Sequence, residues 1–365
     1  MSSTHPTPPP VQVSTPVGQP LQQTTPPARR DGVLAIDEAN GDQPAQVARV
    51  DPDAWTVQRL RLWMIAAFTK SSIDSPQLCA EYLLCHVLGC KKLDLFSQPL
   101  RVLDPAQLAT LRALVSRALK HEPVQYLIGA WSFYGVELLV DRRVLIPRPS
   151  TETIIDFVLS DAKSRHAVSN RLDAAMIGDD DRPIVIKPGS KAKYIAPLEI
   201  ADVCTGSGAI ALALAKHLPS ATLTATDVSP DALVVAQANI DRSASKSRVS
   251  IAQGNLLEPL AGRVFDYIVS NPPYIPDDEW GEVAANVKDY EPHLALRAAD
   301  GGLEFVRPLI NTARANLRSQ GVLVIELAAK TAQQAATIAM QAGYTGVEIL
   351  KDSDGHDRVL IARNP

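Results

Sequence analysis

Five consecutive residues, Ser270-Asn271-Pro272-Pro273-Tyr274, have the composition of a site for a flat nitrogen group. They close the run Phe265-Asp266-Tyr267-Ile268-Val269, which reads as a short buried strand halted by two prolines. A residue before proline is pushed to an extended conformation, so Asn271 and Pro272 are both held extended. Neither proline carries an N–H, and the turn shows carbonyl oxygens with few donors competing for them. The Asn271 side-chain oxygen and a neighbouring main-chain carbonyl make two converging acceptors. Two acceptors match the two donors of a planar NH2 group. Pro273 keeps the turn stiff, and Tyr274 offers an aromatic face against which a flat group can stack. On residue types alone, the same run also fits a plain Pro-Pro turn after a strand.

A second cluster lies upstream. Asp202-Val203-Cys204-Thr205-Gly206-Ser207-Gly208 ends one strand and enters a helix. Glycines there let the backbone approach a ligand closely. Asp227 follows at the tip of the next strand, where an acid bonds the two hydroxyls of a ribose. The dinucleotide fingerprint G-x-G-x-x-G is missing its third glycine, because Gly208 is followed by Ala209, Ile210 and Ala211. No Walker lysine is present, which disfavours a phosphate cradle. S-adenosylmethionine has a ribose and no phosphate, and it suits this turn. Gln253-Gly254-Asn255-Leu256, after the third strand, would lie beside the adenine.

These pieces need a scaffold, and from Leu198 the pattern alternates strand and helix, the mark of a doubly wound parallel sheet. Strands are expected at Leu198–Val203, Thr222–Thr226, Val249–Ala252, Phe265–Val269 and Val322–Leu327. Helices are expected at Ala209–Leu218 and Thr331–Ala342, with Ser229 capping another and Pro230 at its first position. The end reads as a hairpin of Thr345–Leu350 and Asp357–Ala362. Ahead of the sheet, Ile146-Pro147-Arg148-Pro149-Ser150-Thr151-Glu152 opens a helix at Thr153, with Arg148 and Glu152 poised at its start. Thr151 and Glu152 also fit simple helix capping.

Residues 54 to about 122 carry helical stripes: Val57, Leu60, Met64 and Phe68; then Ala80, Leu83, Leu84, Val87 and Leu88, ending at Gly89; then Leu108, Leu111, Val115 and Leu119. Three or four amphipathic helices would make a small bundle, either a partner-docking module or a packing lid. Gln125–Gly129, Trp131–Gly135 and Val136–Val140 read as short β-type runs with glycine punctuation, a hairpin bridging bundle and sheet.

Residues 1 to about 50 are rich in Pro, Thr, Ser and Gln, which is the composition of a disordered tail. They hold no apolar core of a signal peptide. Residues 163 to 195, with Asp179, Asp180 and Asp181, read as a polar surface insertion. The net charge of −4 gives no basic field to recruit nucleic acid. The four cysteines, Cys79, Cys85, Cys90 and Cys204, have no metal-ligand spacing and are consistent with a reducing compartment. No apolar run approaches membrane-spanning length.

From about residue 54 to 363 the chain resembles the release factor glutamine methyltransferases, the protein-(glutamine-N5) methyltransferases. The resemblance rests on Pro123-Val124-Gln125-Tyr126, Ile146-Pro147-Arg148-Pro149 with Thr151-Glu152, Asp202 through Gly208, and Asn271-Pro272-Pro273-Tyr274. Glu291-Pro292 with Leu294-Ala295-Leu296, Asp300-Gly301-Gly302-Leu303, and Lys351-Asp352 with Gly355 and Asp357-Arg358 complete it. The Asn-Pro-Pro-Tyr box alone is shared with DNA and RNA amino-methyltransferases. The resemblance implies a Rossmann-like, seven-stranded class I methyltransferase domain, a small N-terminal helical bundle and a linking β-hairpin. The chain would divide into a tail at 1–50, a substrate-docking bundle at 51–124, a hairpin at 125–145, and the methyltransferase domain at 146–365 with an insertion at about 163–195; the tail and the insertion have no counterpart in the family. It implies S-adenosylmethionine as cofactor, held by Thr205, Gly206, Ser207, Gly208, Asp227, Asn255, Leu256 and Asn271, with Arg148 and Glu152. It implies a substrate amide held by Asn271, Pro272, Pro273 and Tyr274, of which Asn271, Pro272 and Tyr274 act in catalysis. Three positions depart from the family pattern. Cys204 stands for the first glycine of the turn, Asn255 for an acid beside the adenine, and Ser150 for a common Glu. The Asn255 hydrogen bond to the adenine amino group must therefore come from its side-chain oxygen.

The implied reaction is N5-methylation of the glutamine in the Gly-Gly-Gln loop of a peptide chain release factor. An amide nitrogen is a poor nucleophile because its lone pair is delocalised. Asn271 and the Pro272 carbonyl would orient it toward the sulfonium methyl and stabilise the positive charge that builds on nitrogen. Asp277, Asp278 and Glu279 read as a solvated loop face. The enzyme is expected as a monomer without membrane or direct nucleic-acid partners, cytoplasmic in a bacterium and mitochondrial in a eukaryote. Two rivals are a nucleic-acid amino-methyltransferase acting on adenine N6 or guanine N2, and a methyltransferase-like binding protein without activity.

Overall fold

The computed structural model describes residues 54–176 and 197–365, with side chains omitted for 166–176. The expected tail and most of the expected insertion lie outside the described residues. Five helices come first: α1 (Val57–Lys70), α2 (Pro76–Leu88), α3 (Lys92–Ser97), α4 (Pro105–Ala118) and α5 (Val124–Ile128). Thr56 caps α1 by accepting the Arg59 N–H, and Asp104 and Gln107 cap α4 reciprocally. Gly89 ends α2 at φ +60°, a conformation that costs glycine nothing. The apolar stripes meet in one core that holds Met64, Phe68, Leu83, Leu84, Leu111 and Val115.

The hairpin is shorter than its sequence suggests. Strands β1 (Ala130–Phe133) and β2 (Val136–Leu139) pair antiparallel, but Gln125–Ile128 lies in α5. Pro123 at the N-cap and Gly129 at φ +69° bracket a single helical turn. Its side chains divide between two cores. Val124 and Leu127 pack with the bundle, while Tyr126 packs with the hairpin and sheet and donates its hydroxyl to the Val144 carbonyl at 2.5 Å. β-branched and aromatic residues there are selected for two-sided packing, which a strand propensity cannot distinguish.

A 3₁₀ turn at Pro149–Thr151 leads into α6 (Glu152–Met176), so helix continues into the region expected as an insertion from about 163. Then follow β3 (Glu199–Val203), α7 (Ala209–His217), β4 (Thr222–Asp227), α8 (Pro230–Arg242), β5 (Val249–Gln253) and β6 (Phe265–Ser270). After the short α9 (Ala285–Lys288) come α10 (Val306–Ala313), β7 (Leu317–Glu326), α11 (Ala332–Gln341), β8 (Thr345–Lys351) and β9 (Asp357–Arg363). The seven strands run in the order β5-β4-β3-β6-β7-β9-β8, with β9 antiparallel to both its neighbours. Alternate residues of each central strand serve opposite faces. Ile200, Tyr267 and Val324 meet α6, α7 and α8, whereas Ala201, Ile268 and Leu323 meet α10 and α11. Strand order reverses between β3 and β6, so the carboxyl ends of β3, β4 and β6 open a crevice at the switch point. Among the described residues no helix is long and apolar enough to cross a membrane.

Candidate active site

The crevice is a mainly apolar cleft. Its floor is the turn after β3. Cys204, Gly206 and Gly208 all have positive φ, at 60°, 56° and 81°. A side chain on Gly206 would meet no protein atom and would project into open space. Cys204 adopts the left-handed conformation without glycine's freedom, and its partly covered thiol is pushed up to about 12 by burial. Asp202, fully buried, accepts the Thr205 hydroxyl at 2.6 Å and the Ala211 N–H at 3.1 Å, anchoring the turn to α7. Burial raises its pKa to about 7, and its second oxygen has no hydrogen-bond partner among the described residues.

Asp227 closes one end of the floor. Its carboxylate accepts the Gly206 N–H and the Ser229 N–H, both at 2.9 Å. Burial raises its pKa and these donors oppose the rise. A carboxylate has about four acceptor sites, so it keeps capacity for ligand hydroxyls. Asn255 and Leu256, after β5, line the adjoining wall. Buried Asn239 on α8 donates to the Ser207 carbonyl (2.9 Å) and the Leu139 carbonyl (3.0 Å), and accepts the Leu139 N–H (2.7 Å). One side chain thereby ties the hairpin to the glycine turn.

Asn271 and Pro273 line the cleft at the end of β6. The Ser270 hydroxyl donates to the Val203 carbonyl at 2.8 Å and fixes β6 against β3. The Asn271 Nδ2 donates to the Thr151 hydroxyl at 3.0 Å, so Oδ1 is the amide atom left to face a ligand. Pro272 is buried, and both it and Tyr274 lie outside the cleft lining, although the sequence places them against the substrate; Tyr274 donates its hydroxyl to Glu326 at 3.3 Å. Glu326, at the end of β7, has no exposed surface and also accepts the Ser150 hydroxyl at 3.1 Å. Its pKa is raised by burial, against the pull of the surrounding hydroxyls and Arg358.

The opposite wall is double. Val144, Leu145 and Pro147 face the cleft on one segment, and Pro292, Leu294 and Ala295 on another. Buried Glu291 joins them by an ion pair to Arg148 and by accepting the Ile146 N–H at 3.1 Å. Its pKa is raised by burial, while Arg148 and the N–H work against the shift.

The structure gathers Thr205, Gly206, Ser207, Asp227, Asn255, Leu256, Asn271 and Pro273 on one cleft. Gly208 starts α7 and packs on Ala236. Arg148 is turned to Glu291 rather than the cleft, and Glu152 sits in the first turn of α6, outside the lining. Glu326 and Asn239 carry no sequence signal of a site role, and Glu291 has only its place in the Glu291-Pro292 piece of the family resemblance, because acids and amides in loops or at strand ends look like ordinary surface groups. The glycine floor with nothing opposite Gly206, the acid at the β4 tip and the absence of a phosphate cradle fit S-adenosylmethionine.

Residues 59–129 match the family of the PrmC N-terminal domain, and residues 192–290 match the methyltransferase small domain. A release factor glutamine methyltransferase of Chlorobaculum tepidum is 38% identical over 84% of this chain and 96% of its own. One from Rhodopirellula baltica is 35% identical over 84% of this chain and 95% of its own, and one from Geobacter sulfurreducens is 33% identical over 86% and 98%. With its cleft, its Asn-Pro-Pro-Tyr corner and this likeness along nearly the whole folded chain, the protein belongs to the release factor glutamine methyltransferase family.

Proposed function

We propose that this protein methylates the side-chain nitrogen N5 of the glutamine in the Gly-Gly-Gln loop of a peptide chain release factor. The coarser activity, S-adenosylmethionine-dependent methylation of a protein glutamine, follows from family membership. The observation that carries the finer reading is the Asn271 amide. Its Nδ2 is engaged by Thr151, and Oδ1 is presented as an acceptor at the cleft. Oδ1 meets one N–H donor of a glutamine amide, and the carbonyl of Pro272, a residue buried outside the cleft lining, would meet the other. They hold its nitrogen in place and favour the positive charge that develops there. S-adenosylmethionine, when bound, supplies the electrophilic methyl group. Asp227 and the glycine turn hold the nucleoside, Asn255 and Leu256 flank the base, and the apolar double wall excludes water.

The test incubates the protein with labelled cofactor and either a release factor or total nucleic acid. Label on a glutamine side chain, located by peptide mass spectrometry, is the expected result. Label only in nucleic acid overturns the proposal. Asn271→Ala should lower kcat by about 10²–10³, the effect of deleting one preorganised transition-state contact, with cofactor affinity little changed.

A further inference from the structure

The corner that orients Asn271 takes in two more residues, Thr151, which itself lines the cleft, and Glu326. Thr151 is buried, accepts the Asn271 Nδ2–H at 3.0 Å, and has a single hydroxyl proton to give. That hydroxyl stands beside the Glu326 carboxylate, whose buried Oε2 has no hydrogen-bond partner among the described residues and is open to its proton. Oε1 of Glu326 takes the Ser150 and Tyr274 hydroxyls. Every group around this carboxylate is a donor. The Arg358 guanidinium, held by Asp352 and by the Leu327 carbonyl, adds positive charge nearby.

We propose that Thr151 and Glu326 are positioning residues that set the polarity of the Asn271 amide. As a carboxylate, the state that the Ser150 and Tyr274 hydroxyls and Arg358 favour against burial, Glu326 can only accept, and it draws the Thr151 proton toward itself. The Thr151 oxygen then has only lone pairs for Asn271, and Asn271 must turn its NH2 inward and its oxygen to the cleft. The reverse order would direct the NH2 of Asn271 at the NH2 of the substrate, donor against donor. A glutamine at 326 is isosteric but can donate, and it permits the reversed chain. This inference deepens the proposed reading of the site and rests on it.

The experiment is a kinetic comparison of Thr151→Val, Thr151→Ser and Glu326→Gln, with cofactor affinity measured by calorimetry on each folded protein. Thr151→Val should lower kcat by about 10-fold or more, within the range for a lost polar contact at a transition state. Cofactor affinity should stay within about 3-fold, because neither side chain is asked to bind the nucleoside. Thr151→Ser keeps the hydroxyl and should restore most of kcat. Glu326→Gln should fall with Thr151→Val, and the double variant should be no worse than the poorer single one, as for residues acting in one chain. Wild-type kcat in Thr151→Val, or no rescue by Thr151→Ser, overturns the inference. A wild-type enzyme that labels no glutamine overturns the substrate reading instead, and the same variants can still be compared on whatever acceptor is labelled.

Discussion

Glu291→Ala tests whether the double wall of the cleft is held by one carboxylate. Glu291 is 3% exposed, and its two partners sit on the segment from Val144 to Thr151, far away in sequence. Removing it leaves the Ile146 N–H without its acceptor, a loss of about 1–3 kcal/mol for a buried donor. It also strands Arg148, and breaking a fully buried pair from one side costs about 3–5 kcal/mol. Arg148 is 32% exposed, so water takes up part of that charge and the smaller end applies. The two losses share one side chain and do not add, which gives about 3 kcal/mol in all. With an unfolding entropy of about 2.1 cal/mol/K per residue over about 300 residues, that is a fall of about 5 °C in melting temperature. Because Pro147 and Pro292 both line the cleft, S-adenosylmethionine affinity should fall as well. Calorimetry gives both numbers. Arg148→Met alone should cost less, and adding it to Glu291→Ala should cost little more. A melting temperature within about 1 °C of the parent, or additive losses in the double variant, would refute the reasoning.

Four further outcomes are expected. Asp227→Ala should weaken S-adenosylmethionine by about 1–3 kcal/mol, the scale of charge-assisted hydrogen bonds, and unchanged affinity by titration calorimetry would sink the assignment. Gly302 has φ +91°, and a Cβ there would stand 2.6 Å from the Tyr274 carbonyl oxygen. Gly302→Ala should therefore shift the Asn-Pro-Pro-Tyr corner and cut turnover by about 10-fold or more with little change in cofactor affinity; equal turnover would count against it. Asp202 has its pKa raised by burial from 3.8 to about 7, so its stabilisation is complete below the lower value and lost as pH rises through the upper one. Asp202→Asn cannot ionise, and its melting temperature should gain on the parent's between about pH 4 and 7 and run level with it above that, whereas a constant difference throughout would exclude the linkage. A chain beginning at Asp51 should keep its melting temperature and activity, since residues 1–50 have too little apolar content to build a core; a large drop in either would show otherwise.

The parallel sheet was legible because its strands are short β-branched runs broken by Gly, Pro and Asp, and each lies within a few residues of its expected place. Ser229 and Pro230 begin α8 as their types demand. Helix α10 was not read, because Gly301-Gly302 precedes it and Pro308 stands inside it, although proline is tolerated in a first turn. β7 begins at Leu317, before Gly321, where a polar stretch hides the pairing. At the site, the cleft floor and the Asn271 corner follow from local chain geometry and could be placed from their spacing. Glu291 and Glu326 could not. Their meaning depends on Arg148, Thr151 and Ser150, more than 140 residues away, and on burial that only the folded packing creates.

The helix α5 has a consequence for how the molecule comes apart. With Val124 and Leu127 in one core and Tyr126 in another, five residues are common property of the bundle and the catalytic sheet. Tyr290 and Arg142 add to the join by meeting the Lys120 carbonyl and Glu122. The bundle cannot melt by itself without uncovering Tyr126, and the sheet cannot melt without loosening Val124 and Leu127. Heat or urea should therefore meet one cooperative unit. A cavity opened as far away as Phe68 would then weaken the free energy that keeps the distant cleft folded.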